Sequence, residues 1–287
     1  MKFSVSSYSY SKLVSSGDFS EIGLIGLAKE MGFDGIEFAE IHTPDGMEKL
    51  EYAKLLRAEA QKHEIEIVAY CIGANLIYNT ENEIERLKNE VDVCEALGAP
   101  VMRHDATGGY NSDDKKKGFG FNNALPVIVA AYREVTEYAA TKNIRTCIEN
   151  HGFFAQDSER VLAIVNGVNH ENFGALVDIG NFMCADEDPA VAVGNVAPYA
   201  VHVHAKDFHF KNGNEFVPVD GFFMTRGGNF LRGAIIGHGA VPVVQCLRIL
   251  KNADYKGYVT VEFEGMEDAK TGVKCGLNTL KRVDEII

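Results

Sequence analysis

The stretch "VHVHAKDF", residues 201–208, places polar side chains at alternate positions of an otherwise apolar segment. Successive side chains of a β-strand point to opposite faces, so His202, His204 and Lys206 would share one face and the apolar residues the other. The apolar face suits packing against helices. The polar face is typical of a strand that carries part of a functional site.

Similar short apolar segments recur along the chain and alternate with longer amphipathic ones. The predicted strands span residues 2–6, 35–38, 65–70, 99–103, 144–149, 173–178, 200–205 and 258–263. Helical patterns lie near residues 20–32, 44–63, 82–97, 122–142, 157–167, 188–196, 240–252 and 267–285. This alternation predicts an α/β fold, a (β/α)₈ TIM barrel formed by a single domain over residues 1–287. A doubly wound open sheet is the alternative, because strand order is not visible in one sequence.

Several local signals refine these boundaries. Gly32 and Gly98 suit the left-handed residue that ends a helix, and Pro44 in "TPDG" suits a first helical turn. Two segments, 104–120 and 207–239, are longer than the usual βα loop of about 2–6 residues. Both follow the carboxyl end of a strand, where barrel active sites form, so we expect lids or substrate walls. Plain surface insertions are the alternative.

Composition restricts the partners and the compartment. The chain has 287 residues, 46% of them hydrophobic, and a formal net charge of −13, which disfavours nucleic acid and anionic membranes as partners. The six cysteines form no CxxC pair and lie mostly in apolar segments, as reduced buried thiols do. No apolar run has the length of a signal peptide or a membrane span. We therefore expect a cytoplasmic protein.

Side chains that bind metals or transfer protons follow four consecutive predicted strands. These side chains are Glu149, His151, Asp178, Asn181, His204, Lys206, Glu262 and Glu264. A closed barrel brings the carboxyl ends of all its strands to one mouth, so these groups should meet there.

Four of them form a plausible metal site with three carboxylates and one imidazole: Glu149, Asp178, His204 and Glu262. Hard oxygen donors with one nitrogen suit Mn²⁺, Co²⁺ or Mg²⁺ with open coordination positions better than a closed structural Zn²⁺ site. Without a cation the carboxylates would raise one another's pKa, whereas a divalent ion leaves a net charge of about −1. The predicted cofactor is a divalent metal, Mn²⁺ first, with Co²⁺, Mg²⁺ or Zn²⁺ as alternatives.

Four motifs carry a resemblance to a known family: "IENHG" (148–152), "VDIGN" (177–181), "VHVHAKD" (201–207) and "VTVEFEG" (259–265). In this order the sequence resembles the sugar phosphate isomerase/epimerase superfamily with the xylose-isomerase-like TIM barrel, which includes D-tagatose 3-epimerase and inosose dehydratase. The resemblance implies that the four-residue set holds the metal and that Glu149 and Glu262 also transfer protons. Asn181 stands where the epimerase branch usually has histidine, which leaves the substrate open.

The predicted activity is metal-dependent isomerisation or epimerisation of a sugar or keto-sugar, by proton transfer next to a carbonyl through an enediolate. The alternative is a lyase that uses the same metal, either a keto-inositol dehydratase or a deglycosidase of a 3-oxo-glycoside or C-glycoside. An apurinic-site endonuclease would need more histidines and a basic surface, and a non-catalytic sugar-binding barrel is a further class. A homo-oligomer is plausible from the resemblance.

Individual roles remain open at this level. His151 is a candidate acid or base, or a group that orients Glu149, while His104, Asn181 and Lys206 are candidate substrate ligands. Arg103 competes with its neighbour His104 for that contact. For Lys206 the alternative is pairing with a carboxylate, and for His202 we expect a packed inner position. Glu264 is an alternative to Glu262 as metal ligand. Glu37 would either line the pocket or neutralise a nearby cation.

Overall fold

The computed structural model describes residues 1–44, 46–216 and 220–287. Its strands are β1 (Lys2–Ser6), β2 (Gly35–Ala39), β3 (Glu66–Ile72), β4 (Val101–His104), β5 (Arg145–Glu149), β6 (Phe173–Asp178), β7 (Ala200–Ala205), β8 (Asp207–Lys211), β9 (Phe223–Met224), β10 (Phe230–Ala234) and β11 (Tyr258–Val261). Its α-helices are α1 (Ser11–Ser15), α2 (Glu21–Met31), α3 (Lys49–Lys62), α4 (Thr80–Leu97), α5 (Ser112–Lys116), α6 (Phe121–Ala140), α7 (Ser158–Val168), α8 (Pro189–Val196), α9 (Val243–Asn252) and α10 (Ala269–Asp284).

Eight parallel strands close into a barrel in the order β1, β2, β3, β4, β5, β6, β7 and β11. The barrel closes between the first and last of them, where Lys2 lies opposite Tyr258 and Val5 opposite Val261. Closure confirms the predicted (β/α)₈ barrel and excludes the open sheet. All eight carboxyl ends therefore surround one mouth.

The alternation in β7 separates the barrel interior from the helical layer, as its sequence predicts. Val203 and Ala205 are fully buried in the main apolar cluster, which also contains Leu247 of α9 and Leu277 of α10. His202 and His204, also buried, lie on the opposite face of the strand. The histidines therefore point into the barrel.

Two predicted helix ends are confirmed, and one predicted start is wrong. Gly32 and Gly98 end α2 and α4 in the left-handed conformation, with φ of 85° and 75°. Helix α3 begins at Lys49, after Pro44, because the segment first turns with the Met47 N–H donating to the Pro44 carbonyl. Asp45, inside the predicted helix 44–63, lies outside the described residues.

The segment 207–239 forms an antiparallel sheet where the sequence predicts only a loop. β10 pairs with both β8 and β9, giving the order β8–β10–β9. The buried Asp207 carboxylate accepts hydrogen bonds from the N–H groups of Gly237, Gly239 and Val241. This carboxylate thus ties the start of the insertion to its end. Residues 217–219 of the segment lie outside the described part of the chain.

Two further features concern the apolar character of the helices and the state of the cysteines. Within residues 1–44, 46–216 and 220–287, no helix has the length and apolar character needed to cross a membrane. All six cysteines are free thiols, and Cys275 alone is partly exposed.

Candidate metal centre

The four predicted metal ligands meet at the mouth of the barrel. Glu149, Asp178, His204 and Glu262 each offer one donor atom, and these four atoms lie within 4.8 Å of one another. Nδ1 of His204 lies 3.6 Å from Glu149 Oε1, 4.0 Å from Asp178 Oδ2 and 3.4 Å from Glu262 Oε2. These groups end β5, β6 and β7 or follow β11, so barrel closure brings them together.

The backbone turn after β6 fixes the carboxylate of Asp178. Its Oδ1 accepts hydrogen bonds from the N–H groups of Gly180 and Asn181 at 2.8 and 3.0 Å. Gly180 leaves room for this turn, because a Cβ there would lie 2.8 Å from the Lys206 carbonyl oxygen. The other oxygen, Oδ2, is thereby directed toward His204.

Two side chains fix the carboxylate of Glu149. Nη2 of Arg103 lies 2.6 Å from Oε2, and the Asn181 amide donates to Oε1 at 3.1 Å. Arg103 is buried and also donates to the Ile72 carbonyl, so its guanidinium is held in place. Glu149 therefore enters the group with its orientation set from both sides.

The imidazole of His204 is oriented by Glu37 of β2. Oε2 of Glu37 lies 2.8 Å from His204 Nε2 and 2.9 Å from His202 Nε2. Glu37 accepts from Nε2 of His204, so Nδ1 faces the other carboxylates. Burial acts to lower the pKa of His204, but Glu37 and Glu262 outweigh it and raise that pKa well above its usual value, so the metal-free ring carries protons on both nitrogens. A cation bound at Nδ1 would replace one of these protons. His202 lies deeper and also contacts the Thr260 hydroxyl, which matches its expected packed inner position.

Lys206 lies among the carboxylates with its ammonium group buried. Nζ is 2.6 Å from Glu262 Oε2, 3.3 Å from Asp178 Oδ2 and 3.1 Å from Glu264 Oε1. It also donates to the Asn181 side chain at 3.3 Å. The structure therefore shows the carboxylate pairing of Lys206, which was one of its two expected roles.

Burial and neighbouring charges set the protonation of the group. Burial and the nearby carboxylates of Glu262 and Glu149 raise the pKa of Asp178, against the effect of Lys206. Burial also acts to raise the pKa of Glu262, but Lys206 and His204 outweigh it and hold that pKa well below its usual range. The carboxylates thus compete for positive charge, as a cation site requires.

Three buried atoms of this group make no hydrogen bond of good geometry: His204 Nδ1, Asp178 Oδ2 and Glu262 Oε2. Nζ of Lys206 is near both oxygens, but its geometry meets the criteria for a hydrogen bond with neither. Buried polar atoms without partners are rare and costly, so three that converge on one place need an explanation. One imidazole nitrogen and carboxylate oxygens fit a divalent metal ion, which would bind all three together with Glu149.

A cleft of about 330 Å³ opens over these groups. Its described walls come from the loops after β1, β2 and β3, with Tyr8, Glu40 and Gly73 among them. Neither segment 104–120 nor the described part of segment 207–239 contributes to this lining. The expectation that these long segments form the substrate walls is therefore not met for the residues described.

His151 lies at the rim of the cleft, two residues after Glu149. Its Nδ1 is 2.9 Å from Asp105 Oδ1, and its side chain is half exposed. Partial burial disfavours the imidazolium, but the carboxylates of Asp105 and Glu149 outweigh this and raise the pKa of His151. The same Asp105 oxygen is 2.6 Å from Arg103, so Asp105 links the arginine to the histidine.

The structure places His104 outside the described lining of the cleft, whereas the sequence predicts a substrate contact for it. Its ring stacks on Tyr132 of α6 with 4.3 Å between ring centroids, and Nδ1 contacts the Asp105 backbone carbonyl at 3.0 Å. Alternation along β4 gives His104 the helix-facing side and Arg103 the interior side. The position of Arg103 is readable from this alternation, whereas that of Asp105, just beyond β4, is not.

The comparison with known families agrees with this architecture. A family model described as the xylose isomerase-like TIM barrel matches residues 25–283. The chain belongs to this family. The match confirms the resemblance that the four motifs carry.

Two curated proteins resemble this chain over most of its length. An inosose dehydratase of Mesomycoplasma hyopneumoniae (strain J) is 22% identical over 86% of this chain and 82% of its own. The L-ribulose-5-phosphate 3-epimerase UlaE of Escherichia coli (strain SMS-3-5) is 21% identical over 82% and 79%. These two relatives, each little more than one-fifth identical to this chain, are thus named as a dehydratase and an epimerase.

Solved structures share the fold. D-psicose 3-epimerase from Clostridium cellulolyticum H10, solved with D-tagatose, has a TM-score of 0.75 at 17% identity and covers 99% of both chains. The IolI protein with a bound zinc atom has a TM-score of 0.73 at 19% identity, covering 99% of this chain and 98% of the other. One of the proteins with a similar fold thus has a metal bound.

Proposed function

We propose that this xylose isomerase-like barrel is a divalent-metal-dependent sugar isomerase or epimerase that moves a proton on a carbon next to a carbonyl. The convergence of three buried donor atoms without aligned partners carries the proposal: His204 Nδ1, Asp178 Oδ2 and Glu262 Oε2. A divalent ion held there with Glu149 would stabilise negative charge that develops on the substrate oxygens. Mn²⁺ is the proposed ion, because the donor set is mainly carboxylate oxygen.

Glu149 and Glu262 are the proposed proton-transfer groups, since both line the cleft. Arg103 and Lys206 hold them from different sides, at 2.6 Å each. Such contacts fix each carboxylate relative to the substrate carbon and keep it ionised for use as a base. Asn181 and Lys206 are proposed to contact substrate oxygens as well.

The names of the relatives support this reaction class. Epimerisation next to a carbonyl and elimination of water β to a carbonyl both begin with removal of a proton from the carbon adjacent to the carbonyl. One site can therefore serve either outcome, depending on whether a leaving group is present. The cleft volume of about 330 Å³ is at the small end of ligand sites, which favours a single sugar ring.

The decisive test is metal removal followed by isotope exchange. The chelated protein is reloaded with Mn²⁺, Co²⁺, Mg²⁺ or Zn²⁺ and incubated with a panel of ketoses in D₂O. We expect metal-dependent deuterium incorporation at the carbon next to the carbonyl, with a new stereoisomer. Turnover that is unaffected by chelation, or no exchange with any ketose, would reject the proposal.

One observation favours a lyase as the second candidate. His151 lies at the cleft rim with Nδ1 held by Asp105, which leaves Nε2 available to protonate a leaving group. A keto-inositol or a 3-oxo-glycoside would then lose water or its aglycone. Release of either product from such a substrate, without stereoisomer formation from ketoses, would select this alternative.

The proposed setting is the cytoplasm, which the free thiols suit, and the proposed partner is a small sugar or keto-sugar rather than nucleic acid. The net charge of −13 supports the second point. A homo-oligomer remains a proposal, and analytical ultracentrifugation tests it.

A further inference from the structure

The cleft over the candidate metal centre has an excess of acidic groups among its described lining residues. The acidic ones are Glu37, Glu40, Glu149, Glu262 and Glu264, and the permanently cationic ones are Arg103 and Lys206. With His151 and His204 neutral, the formal charge of this lining stays negative even when a divalent cation is added. An anionic substrate entering the cleft would therefore meet net repulsion.

Both cations of the lining are already paired with protein carboxylates. Arg103 lies 2.6 Å from both Glu149 and Asp105, and it is only 7% exposed. Lys206 is 4% exposed and lies among Asp178, Glu262 and Glu264 as described above. Either cation could share a hydrogen bond with a neutral sugar oxygen, but moving its charge onto a phosphate would leave a buried carboxylate unpaired, which is costly.

The rim adds acidic charge rather than basic charge. Glu40 is half exposed at the carboxyl end of β2, and its nearest cation, Lys49, is 3.9 Å away. In the neighbouring groove, Lys12 donates to the Gly265 carbonyl and shares the lining with two glutamates, Glu264 and Glu267. Lys12 is the one permanent cation of these two described linings without a carboxylate partner, and it lies in the neighbouring groove, so the cleft itself supplies no such cation for a phosphate.

We propose that this site accepts uncharged sugars or keto-sugars and rejects their phosphate esters, an inference that rests on the proposed function. A sugar phosphate carries a charge of about −1.5 to −2 at neutral pH, as phosphorylated side chains do. The same site offers a neutral sugar carboxylate oxygens that accept hydrogen bonds from its hydroxyl groups, and the proposed metal would coordinate its oxygen atoms. Charge, rather than cleft size, is the basis of the selection.

The test compares a ketose with its own phosphate ester on the metal-loaded protein. Dissociation constants for D-tagatose and D-tagatose 6-phosphate are measured by calorimetry with stoichiometric Mn²⁺, at low and at high NaCl. We expect the phosphate ester to bind at least tenfold more weakly at low salt. The difference between the two dissociation constants should shrink at high salt, because dissolved ions screen repulsion between charges farther apart than the Debye length, about 10 Å at 0.1 M. Tighter binding of the ester, or a gap that salt does not change, overturns the inference.

A matched pair of charge reversals isolates the cleft from net charge. Glu40→Lys and Glu137→Lys change the total charge equally, but Glu137 is exposed on α6, away from the cleft. The compared quantity is the ratio of the dissociation constant of the phosphate ester to that of the free ketose. At low salt we expect Glu40→Lys to lower this ratio at least threefold and Glu137→Lys to leave it unchanged. Equal effects of the two variants reject the proposal.

The outcomes separate this inference from the proposed function. Exchange of deuterium into ketose phosphates but not into ketoses overturns the inference and leaves the proton-transfer function standing. No exchange into either class rejects the proposed function and the inference with it. Exchange into free ketoses alone, with the salt dependence described, supports both.

Discussion

Nε2 of His204 lies 2.8 Å from Oε2 of Glu37, a carboxylate that comes from another part of the barrel wall. Glu37 is fully buried, and it also contacts His202. Burial acts to raise the pKa of Glu37, but the two histidines outweigh burial and lower it, so the carboxylate stays ionised. This contact decides which nitrogen of His204 faces the three other candidate ligands.

Replacement of Glu37 should therefore weaken metal binding without removing a ligand. We expect Glu37→Gln to lower Mn²⁺ affinity by about 10- to 100-fold, as changes to groups that orient a ligating histidine do. Calorimetric titration of the metal-free protein measures this. Glu90→Gln is the control, because Glu90 is also buried but contacts Lys49 and Tyr70 away from the centre. Equal Mn²⁺ affinity in the two variants would contradict the prediction.

The buried ammonium of Lys206 should matter most when no metal is bound. In Lys206→Met, Glu262, Asp178 and Glu264 lose their shared cation, so the metal-free protein should lose about 3–5 kcal/mol of stability. Mn²⁺ should recover much of the loss, giving this variant a larger rise in Tm with metal than the parent. Lys142→Met removes surface ion pairs and a contact with the Tyr138 ring, far from the centre, and its cost of about 1 kcal/mol should be the same with and without Mn²⁺. If Lys206→Met lost the same stability with and without Mn²⁺, Lys206 would not be the group that balances the carboxylates in the metal-free protein.

His104 should make the fold sensitive to acid. Burial lowers the pKa of His104 to about 4, from an ordinary value of 6.5. As the pH falls below 6.5, the unfolded chain binds a proton that the folded chain excludes, so stability is lost on acidification and regained as the pH rises. For this residue alone the loss is about 2 kcal/mol between pH 6.5 and pH 4.5.

The variant His104→Phe keeps an aromatic ring against Tyr132 and removes the titration. Urea unfolding of both proteins across this pH range should show a free energy of unfolding that falls less steeply in the variant, by about 2 kcal/mol in total. Parallel curves would show that His104 is protonated equally in both states.

The insertion after β7 should depend on Asp207. In Asp207→Ala, the N–H groups of Gly237, Gly239 and Val241 lose their common acceptor, and hydrogen bonds to a charged group contribute about 1.5–3 kcal/mol each, not additively. We expect a loss of at least about 3 kcal/mol and faster limited proteolysis within the insertion. Asp254→Asn, which removes a charge at an exposed turn and keeps a residue type that tolerates its left-handed φ of 63°, should change neither measurement. A stability loss without faster cleavage would place the effect in the barrel instead.

The sequence predicts the barrel well because its signals are local and repeated. Alternation in "VHVHAKDF" separates interior from exterior, and the predicted strand 200–205 matches β7. The convergence of Glu149, Asp178, His204 and Glu262 follows from strand ends alone once the barrel is assumed. Gly32 and Gly98 are correct because only a left-handed residue ends a helix in that way.

Pairings between distant residues are less accessible to sequence reasoning. The roles of Arg103 and Asp105 depend on where β4 places them relative to β5, and β4 begins two residues later than predicted. That shift leaves the alternation intact, so the sequence offers both Arg103 and His104 as substrate contacts and does not decide between these neighbours. The sheet of β8, β9 and β10 is short and rich in glycine and asparagine nearby, so its period-two pattern is weak.

The closing contact between β1 and β11 also sets an order of events during synthesis. The first strand leaves the ribosome long before its partner, and Glu262 emerges just after the final strand. Until then the nascent chain holds an incomplete ring and a centre without its third carboxylate. Capture of the cation should therefore be a late step of maturation, and chains that stall before residue 262 should release the ion readily.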